Sequence, residues 1–471
     1  MIRFRLRDIV EGTRGALVSN AEGAECFTGV SIDSRTTRPG QVFFALRGKV
    51  HDGHDFIRES WKKGAVMAVI DTGIFPPPGK LAPIPTVLVE DTSQALFDFA
   101  AYWRGKHTVS AVAVVGSVGK TTTREMLFSI FSTAGPCLRN PENFNNDIGL
   151  PLTLLQLEDH HRYAVLEIGA NSPGEIRNLG ALVRPTGAVI TRIGWAHLEG
   201  FGTPEALAAE KISILEELPA DGWCAVNGGD PFQAEVCARA RCSLVTYGFG
   251  GEDVSADEVS FSGSQTEFTL RTPEGKERVR LKAAGRHFVE NAVAAVAGAL
   301  PLGISMELVI SGLSKWTPVE HRGGIISPMP GVHFIDDTYN ANPLSVQTAL
   351  TGLAQLSQEG ITVAVLGGME ELGNYHREGH LRIGEIAANL GIDYLLPVGG
   401  PADLVAQGAL RGGMDPSRVK VCNTAEEAIH ILDDLLTPGM WVLFKGSRAS
   451  RMEDIMKIFL QREPSTNTGG F

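Results

Sequence analysis

The chain has 471 residues, 54 acidic and 42 basic, and a formal net charge of −12. A single core stops growing at ~250–300 residues, so a chain of this length is expected to form several domains. The acidic balance disfavours a nucleic-acid binder, which needs a basic surface to neutralise phosphates. A hydrophobic content of 43% with 20% charged residues excludes a disordered chain.

Residues 1–107 are predicted to form a small α/β domain. Short strand-like runs at 42–46, 66–70 and 86–89 are followed by an amphipathic helical pattern at 93–104. A proline-rich stretch at 76–79 predicts a stiff turn between two of these strands.

Residues 108–318 are predicted to form a central domain with a mainly parallel sheet. The continuous apolar run at 109–115 is typical of a strand that is buried on both faces. Further strand-like runs alternate with helical patterns, which is the signature of a parallel α/β sheet. These runs lie at 163–168, 187–191, 223–226 and 244–247. A hairpin is expected at the edge of this domain, with strands at 265–270 and 277–281.

Residues 319–471 repeat the strand–helix alternation and predict a separate Rossmann-like, doubly wound domain. The expected strands lie at 332–336, 361–366, 394–398 and 441–444. The expected helices lie at 344–356, 376–390 and 425–436. The tail at 463–471 has few apolar residues and is expected to fray. The sequence as a whole therefore predicts an α/β protein of three domains.

Cysteine usage and hydropathy indicate a cytoplasmic protein. The six cysteines are scattered, with no CxxC pair and no zinc-type spacing, as expected for reduced thiols. No apolar run follows the N-terminal arginines, so no secretory signal is expected. The most apolar stretch, residues 292–304, is too short to cross a membrane and contains a proline. We expect a monomer that binds no nucleic acid and does not insert into membranes.

A phosphate-binding loop is predicted where the strand at 109–115 ends. The pattern Gly116-x-x-Gly119-Lys120-Thr121 lies between a strand and a helix, so backbone N–H groups and the positive helix end can face phosphates. Lys120 is expected to reach the β- and γ-phosphates, and the Thr121 hydroxyl to ligate Mg²⁺. The usual GxxxxGK[ST] pattern is not met, because Val114 stands six positions before Lys120. A simple glycine-rich turn before a helix is the alternative.

Two more residues are candidate metal ligands or catalytic groups. Glu167 ends an apolar strand, where a charge is costly unless it meets a cation. An arginine partner would satisfy Glu167 equally well. His197 follows the strand at 187–191, at the sheet edge where ligands commonly bind. A hydrogen-bonded loop histidine is the alternative for His197.

Several separated segments of the chain resemble the Mur ligases, and together they span about residues 28–450. The segments are the short loop with Thr121-Thr122-Thr123, Glu167 with residues 169–171, His197 within 196–202, Lys211 within 208–215, Asn291 within 287–294, and residues 336–343. Each motif is modest alone, but together and in the correct order they are specific. Some positions depart from the family pattern: Ser213, Gly368 and the run Glu320-His321-Arg322-Gly323.

Within the family, the resemblance is strongest to enzymes that join D-alanyl-D-alanine to UDP-N-acetylmuramoyl-tripeptide. It rests on residues 143–149, 196–202, 336–343 and 445–448, and on a UDP-binding type of segment within 33–56. The resemblance implies an ATP-dependent amide ligase of peptidoglycan precursor synthesis. In such a reaction ATP converts the peptide carboxylate into an acyl phosphate, which the amine of the dipeptide then attacks.

The resemblance also implies a role for individual residues. The catalytic residues would be Lys120, Lys211 and His197. The ATP-binding residues would be Gly116, Ser117, Val118, Gly119, Lys120, Thr121, Thr122, Asn291, Arg322, Asp337, Tyr339 and Asn340. The Mg²⁺ ligands would be Thr121, Glu167, His197 and Lys211, the last as a carbamate. The substrate-binding residues would be Ser34, Arg35, Phe44, Asn143, Asn145, Asn146, Lys445 and Arg448. Because several of these lie in the third domain, that domain is expected to close onto the central one.

Three other interpretations stay open at this stage. One is another ligase of the same superfamily, either tripeptide-forming or of the folylpolyglutamate synthase type. The second is a nucleotide-dependent switch protein, although its guanine-reading Asn-Lys-x-Asp motif is missing and residues 227–230 are only a weak lookalike. The third is a small-molecule kinase that stops at the acyl phosphate.

Overall fold

The computed structural model describes residues 3–18, 26–73, 84–141, 143–357 and 360–462. The turn expected at 76–79 and the tail expected to fray lie outside these residues. Three α/β units follow one another along the chain, each built around its own main sheet, which confirms the predicted fold class. No helix in the described parts of the chain is long and apolar enough to cross a bilayer.

The first unit has a five-stranded sheet in the order β2-β7-β6-β5-β4, beside a small antiparallel pair of β1 and β3. Its elements are β1 (Phe4–Arg5), α1 (Leu6–Thr13), β2 (Ala16–Leu17), β3 (Cys26–Phe27), β4 (Val30–Ser31), β5 (Val42–Phe44), α2 (Ile57–Lys62), β6 (Met67–Asp71), β7 (Thr86–Val89) and α3 (Thr92–Arg104). Helix α3 begins where the Asp91 carboxylate accepts a hydrogen bond from the N–H of Gln94. The three strands and the helix predicted here are confirmed.

The central unit has a nine-stranded sheet in the order β16-β15-β14-β13-β12-β11-β8-β10-β9. Its elements are β8 (Ser110–Val115), α4 (Lys120–Ala134), β9 (Cys137–Arg139), α5 (Gly149–Leu154), β10 (Tyr163–Glu167), α6 (Glu175–Val183), β11 (Gly187–Ile190), α7 (Leu198–Phe201), α8 (Pro204–Ile212), β12 (Trp223–Asn227), α9 (Gln233–Arg239), β13 (Ser243–Gly248), β14 (Val254–Ser262), β15 (Gln265–Thr272), β16 (Gly275–Leu281), α10 (Arg286–Ala299) and α11 (Met306–Lys315).

In the order of the sheet, the strands from β9 through β8 to β14 are all parallel. The antiparallel β15–β16 hairpin forms one edge, as predicted. Strand β8 lies between β10 and β11, and all three are almost completely buried because helices cover both faces of the sheet. The carboxyl ends of these three strands therefore meet at one edge, where the chain leaves β8 for the glycine-rich loop.

The third unit has a five-stranded sheet in the order β17-β18-β21-β19-β20, in which only β17 is antiparallel. Its elements are β17 (Gly324–Met329), β18 (Val332–Asp337), α12 (Pro343–Leu356), β19 (Ile361–Leu366), α13 (His376–Asn389), β20 (Tyr394–Pro397), α14 (Ala402–Arg411), α15 (Ala425–Leu435), β21 (Met440–Lys445) and α16 (Met452–Leu460). Helices α12 to α14 cover one face and α15 and α16 the other, as expected for a doubly wound domain. Asp337 and Lys445 are paired at the carboxyl ends of β18 and β21.

Candidate active site

A cavity of about 300 Å³ lies between the central and C-terminal units. The central unit contributes the glycine-rich loop, Glu167 and Lys211 to its wall. The C-terminal unit contributes Arg322, Tyr339 and Lys445. The cavity therefore lies where the carboxyl ends of parallel strands from two sheets face each other, which is the usual ligand position in open α/β sheets.

The glycine-rich loop needs glycine at both of its glycine positions. Gly116 has φ +142° and Gly119 has φ +89°, conformations that residues with a side chain rarely adopt. A Cβ atom at Gly116 would also overlap Oγ1 of Thr191, so the loop can pass this point only as glycine. Helix α4 begins directly after the loop, at Lys120, so its unpaired N–H groups are at the cavity wall.

The Lys120 ammonium is held inside this loop. Its Nζ donates to the carbonyl oxygen of Gly116 at 2.9 Å and to that of Ser117 at 3.5 Å. Burial lowers the pKa of Lys120, Glu167 opposes this shift and the charge of Arg322 adds to it. The cation therefore gains from any anionic ligand that enters the cavity.

Glu167, at the end of β10, is the centre of a buried hydrogen-bond network. The Thr121 hydroxyl donates to its Oε2 at 2.9 Å, and Asn145 Nδ2 donates to its Oε1 at 3.0 Å. Arg124, only 1% exposed, lies with Nη1 at 3.4 Å from Oε2. The Asn140 side chain pairs with both backbone groups of Glu167. The carboxylate is thus fixed in one orientation, with its partner hydroxyl on the helix that follows the loop.

The oxygens of Thr121 and Glu167 suit a magnesium ion. In the described parts of the chain no three His, Cys, Asp or Glu side chains converge as a complete metal cage. Mg²⁺ does not require such a cage, because it keeps waters and is commonly held by one or two carboxylates together with substrate phosphates. A hydroxyl and a carboxylate beside a phosphate loop therefore fit this ion.

Lys211, near the end of α8, is buried without a carboxylate in ion-pair contact among the described residues. It is 1% exposed, and its one described hydrogen bond reaches the carbonyl oxygen of Ala170 at 3.5 Å. The neighbouring Glu210 carboxylate instead accepts from the backbone N–H groups of Gly174 and Ile176. Burial, with a smaller contribution from the Lys120 charge, lowers the pKa of Lys211 to about 7. A large share of this amine is therefore neutral near pH 7.

The C-terminal unit contacts the phosphate loop directly. The Arg322 guanidinium lies 3.8 Å from the centre of the Tyr339 ring, and its Nη2 donates to Thr121 Oγ1 at 3.3 Å. The Tyr339 hydroxyl donates to Oδ1 of Asn143 in the central unit. The Arg322–Thr121 and Tyr339–Asn143 contacts join the two units across the cavity.

A second cavity of about 400 Å³ lies next to the first. The two cavities share wall residues, namely Asn143, His197, Tyr339, Asn340 and Asn342. In the second cavity, His197 Nδ1 contacts the carboxylate of Glu371 across the boundary between the two units. His197 has φ +54° and Glu371 has φ +61°, so both are held in a conformation that non-glycine residues seldom adopt. Backbone outliers of this kind cluster at functional sites.

Most residues singled out from the sequence lie at these two cavities. The first cavity is lined by Ser117, Val118, Gly119, Lys120, Thr121, Thr122, Asn143, Asn145, Asn146, Glu167, His197, Lys211, Asn291, Arg322, Asp337, Tyr339, Asn340 and Lys445. Gly116 lies just behind the wall, where its carbonyl oxygen binds Lys120. Arg448 lines the second cavity only.

The residues singled out in the first unit line neither cavity. Arg35 is exposed and pairs with Asp33 at 2.7 Å, while Ser34 is 5% exposed. Phe44 was expected to contact substrate, but its side chain is completely buried and stacks against Phe99. This expectation is wrong for the Phe44 side chain, which belongs to the hydrophobic core of the first unit and has no surface to offer a ligand.

Several residues at the site were missed by the sequence reasoning. Arg124 is buried beside Glu167, and a charged residue inside an otherwise apolar helical face was the available signal. His287 lines the first cavity, and burial lowers its pKa to about 4. Glu370 and Glu371 line the second cavity. No local pattern marks these two glutamates, because their position depends on how two units meet.

The fold and the loop define a phosphate-loop nucleotide-binding enzyme whose C-terminal unit completes the cavity beside that loop. Three family descriptions match successive parts of the chain: "Mur ligase family, catalytic domain" at residues 27–104, "Mur ligase middle domain" at 114–299 and "Mur ligase, glutamate ligase domain" at 321–448. The chain belongs to the Mur ligase family.

Full-length relatives agree with this assignment. A UDP-N-acetylmuramoyl-tripeptide–D-alanyl-D-alanine ligase of Bacillus subtilis is 32% identical over 462 residues, which are 98% of this chain and 99% of the relative. The crystal structure of MurF from Acinetobacter baumannii superimposes with a TM-score of 0.89 at 35% identity, covering 98% of this chain and 99% of that one. MurF from Thermotoga maritima in complex with ADP has a TM-score of 0.81 at 28% identity and covers 92% and 97%.

Proposed function

We propose that this chain is an ATP-dependent ligase that joins D-alanyl-D-alanine to UDP-N-acetylmuramoyl-tripeptide and forms ADP and phosphate, as a step of peptidoglycan precursor synthesis. One observation carries the proposal. Lys120 and the Thr121–Glu167 pair face Arg322 and Lys445 across a closed cavity that two units share. The names of the full-length relatives specify the same pair of substrates.

The nucleotide would lie in the first cavity. The glycine-rich loop and Lys120 would bind its phosphates, and Asn291 would contact the adenine. Arg322, Asp337, Tyr339 and Asn340 would enclose it from the C-terminal side. The ADP complex of the Thermotoga maritima relative supports nucleotide binding in this family.

Mg²⁺ fits the oxygens of Thr121 and Glu167, and when bound it would neutralise charge on the β- and γ-phosphates. The chain itself keeps these two oxygens 2.9 Å apart and supplies the cations Lys120 and Arg322. His197 is proposed as a ligand of a second ion at the same cavity, together with Lys211.

We further propose that Lys211 is carbamylated. Its neutral amine can attack carbon dioxide, which forms an N–C bond, and the amine proton leaves to solvent. The product is an anionic oxygen ligand, whereas a lysine cation binds metal poorly. The burial of Lys211 and its pKa of about 7 support this step, because they keep much of the amine in the reactive, neutral form.

The reaction would proceed in two transfers. A carboxylate oxygen of the tripeptide attacks the γ-phosphorus, and the bond from that phosphorus to ADP breaks. The dipeptide amine then attacks the acyl carbon, phosphate leaves with the former carboxylate oxygen, and the amine loses a proton to solvent. Both steps depend on positioning and on fixed positive charge, which Lys120 and Arg322 supply.

The remaining assignments form part of the same proposal. Residues 1–107 would hold the UDP end through Ser34 and Arg35, residues 108–318 would bind ATP, and residues 319–471 would close the site. Asn143, Asn145 and Asn146, which line the first cavity, would contact the tripeptide substrate. We also propose that the protein is cytoplasmic and monomeric, as expected from the sequence.

A phosphate-release assay tests the proposal. The purified chain is incubated with ATP and Mg²⁺, with either the diaminopimelate or the lysine form of UDP-tripeptide, and with a panel of amines. We expect release only with D-alanyl-D-alanine. Release with glutamate or diaminopimelate would instead indicate another activity of this superfamily. Release without amine would indicate a kinase, and a preference for GTP would contradict ATP as the substrate.

The variant Lys120→Ala tests the phosphate-loop assignment in the same assay. It should retain the circular dichroism spectrum of the wild type, because the side chain ends in the cavity rather than in the core. It should lose ligation almost completely, because the cation that faces the phosphates is gone. Near-normal ligation by this variant would contradict the phosphate-loop assignment.

A further inference from the structure

His321 adjoins both C-terminal residues that contact the central unit. It directly precedes Arg322, whose guanidinium donates to Thr121 of the helix after the phosphate loop. Its carbonyl oxygen accepts the backbone N–H of Tyr339 at 3.2 Å. The Tyr339 hydroxyl in turn donates to Asn143 of the central unit. The position of His321 therefore bears on both contacts between the two units.

The His321 ring is held at the end of strand β18. Its Nδ1 lies 2.8 Å from Oδ2 of Asp336, and because an ionised carboxylate only accepts hydrogen bonds, Nδ1 carries the proton. The Thr338 hydroxyl lies 3.2 Å from the same Nδ1 and donates to the other carboxylate oxygen of Asp336 at 2.7 Å. Asp336 is 4% exposed, so the network is shielded from water, which strengthens its hydrogen bonds.

The backbone of the same segment is also attached to Asp336. The N–H of Gly323 donates to the carbonyl oxygen of Asp336 at 2.7 Å. His321 has φ +61°, a left-handed conformation that is uncommon for residues other than glycine. Such a conformation costs free energy and persists only where the surrounding structure fixes it. Arg322 is therefore flanked by two residues that are both bound to Asp336.

Arg322 depends on its backbone for its direction. Its guanidinium has one described hydrogen bond, the 3.3 Å contact to Thr121, and lies against the Tyr339 ring. Its Nε is buried without a hydrogen-bond partner among the described residues. A side chain with so few polar contacts takes its direction mainly from the backbone that carries it.

We infer that His321 is a positioning residue for nucleotide binding: its ring, bound to Asp336, holds Arg322 so that the guanidinium faces the phosphate loop. This role rests on the proposed function, specifically on nucleotide binding in the first cavity. His321 lines neither of the two cavities, so it acts through Arg322 rather than on the nucleotide itself.

The test measures binding of the non-hydrolysable β,γ-imido analogue of ATP, with Mg²⁺, by isothermal titration. His321→Ala removes the ring and should weaken binding by about 10-fold. His321→Asn should restore most of the affinity, because the Asn Nδ2 stands at the same side-chain position as the His Nδ1 and Asn tolerates the left-handed conformation. Wild-type affinity in the alanine variant, or equal losses in both variants, would overturn this role.

Arg14→Ala is the matched control for the alanine substitution. Arg14 has a similar backbone conformation, φ +53°, and pairs with the Asp98 carboxylate at 3.3 Å, but it lies in the first unit. This variant should bind the analogue as the wild type does, and an equal loss of affinity would overturn the assignment. If His321→Ala fails to fold, His321→Gln replaces it. Gln moves the amide one bond farther from the backbone and should lose affinity in the same way.

A double-mutant cycle separates positioning from a merely structural role. Arg322→Ala alone should weaken binding of the analogue by at least about 10-fold, because the guanidinium beside the phosphate loop is gone. Adding His321→Ala should cause no further loss, since His321 acts through Arg322. Additive losses in the double variant would contradict this route.

Nucleotide binding is measured without the other two substrates, so this role and the proposed ligation can fail separately. If the wild type binds the analogue but does not ligate D-alanyl-D-alanine, the proposed ligation is wrong, and the affinities of the His321 variants still decide the positioning role. If the wild type does not bind the analogue, both are overturned.

Discussion

Gly119 and Asn291 are packed so closely that a Cβ atom at position 119 would overlap the Oδ1 atom of the Asn291 side chain. The loop and helix α10 therefore meet only because residue 119 is glycine. Gly119→Ala should push Asn291 away from the cavity and weaken nucleotide binding by at least about 10-fold, which isothermal titration with an ATP analogue would measure.

Gly413→Ala separates this overlap from simple backbone strain. Gly413 also has φ +89°, but a Cβ atom there would meet nothing within 4 Å. Both variants should lose about 1–2 kcal/mol of unfolding free energy from the unfavourable backbone conformation. Only the Gly119 variant should lose nucleotide affinity, and equal affinities in the two variants would contradict the role of the close approach.

Lys211→Ala should be nearly inactive, and short carboxylates such as formate or acetate should restore part of the activity. The reason is that the carbamate oxygens, rather than the lysine amine, are the proposed metal ligands. Steady-state ligation with and without added carboxylate measures this effect. A fully active alanine variant would remove the carbamate role, and a ¹³C-carbamate signal that is present in the wild type and absent from the variant would support it directly.

Arg124→Met should lower the free energy of unfolding by about 3 kcal/mol, because it leaves the buried carboxylate of Glu167 without a cation it contacts. Arg139→Met is the control. Arg139 pairs with Glu125, which also binds Arg124, but its side chain is 40% exposed, so the loss should stay below about 1 kcal/mol. Urea denaturation of both variants measures these losses of unfolding free energy. Similar losses in the two variants would show that the burial of Arg124 is not important.

His287 should make stability depend on pH. Burial lowers its pKa to about 4 in the folded protein, whereas the unfolded chain binds the proton near pH 6.5. Between these values the unfolded state holds more protons, so its relative free energy falls as the solution is acidified. The contribution of neutral His287 to the free energy of unfolding is fully present above pH 6.5 and is lost as the pH falls to about 4.

The variant His287→Gln isolates this contribution from the other titrating groups. Between pH 7 and pH 4, the wild type should lose about 3 kcal/mol more unfolding free energy than the variant does. Chemical denaturation at the two pH values measures both losses. Parallel pH curves for the wild type and the variant would contradict the lowered pKa.

The fold was predictable where burial leaves a strong pattern. Strands β8, β10 and β11 are apolar along most of their length because helices cover both faces of the sheet, and all were located from the sequence. Strand β9 was not predicted, because a strand of three residues is too short to show a pattern of apolar and polar residues. Strand β14 was missed because half of it alternates between the solvent and the interior, with a register shift inside it.

Local pattern alone predicted the candidate site only where its residues are adjacent in the chain, whereas the distant residues were assigned to it by the family resemblance. The phosphate loop has its own local pattern, and the structure builds it between β8 and α4 as that pattern predicts. The contact between His197 and Glu371 has no such pattern, because it joins residues from two units. Phe44 was misread because a buried phenylalanine and a ligand-stacking one look alike in sequence.

The closed arrangement of Arg322 and Tyr339 over the phosphate loop has a consequence for how the protein melts. A nucleotide bound in the proposed cavity would touch both units, so its binding free energy would be lost when either of them unfolds. Saturating nucleotide should therefore fuse the melting of the central and C-terminal units into one cooperative transition at higher temperature. The bound nucleotide would therefore couple the unfolding of the two units, and its removal would uncouple them.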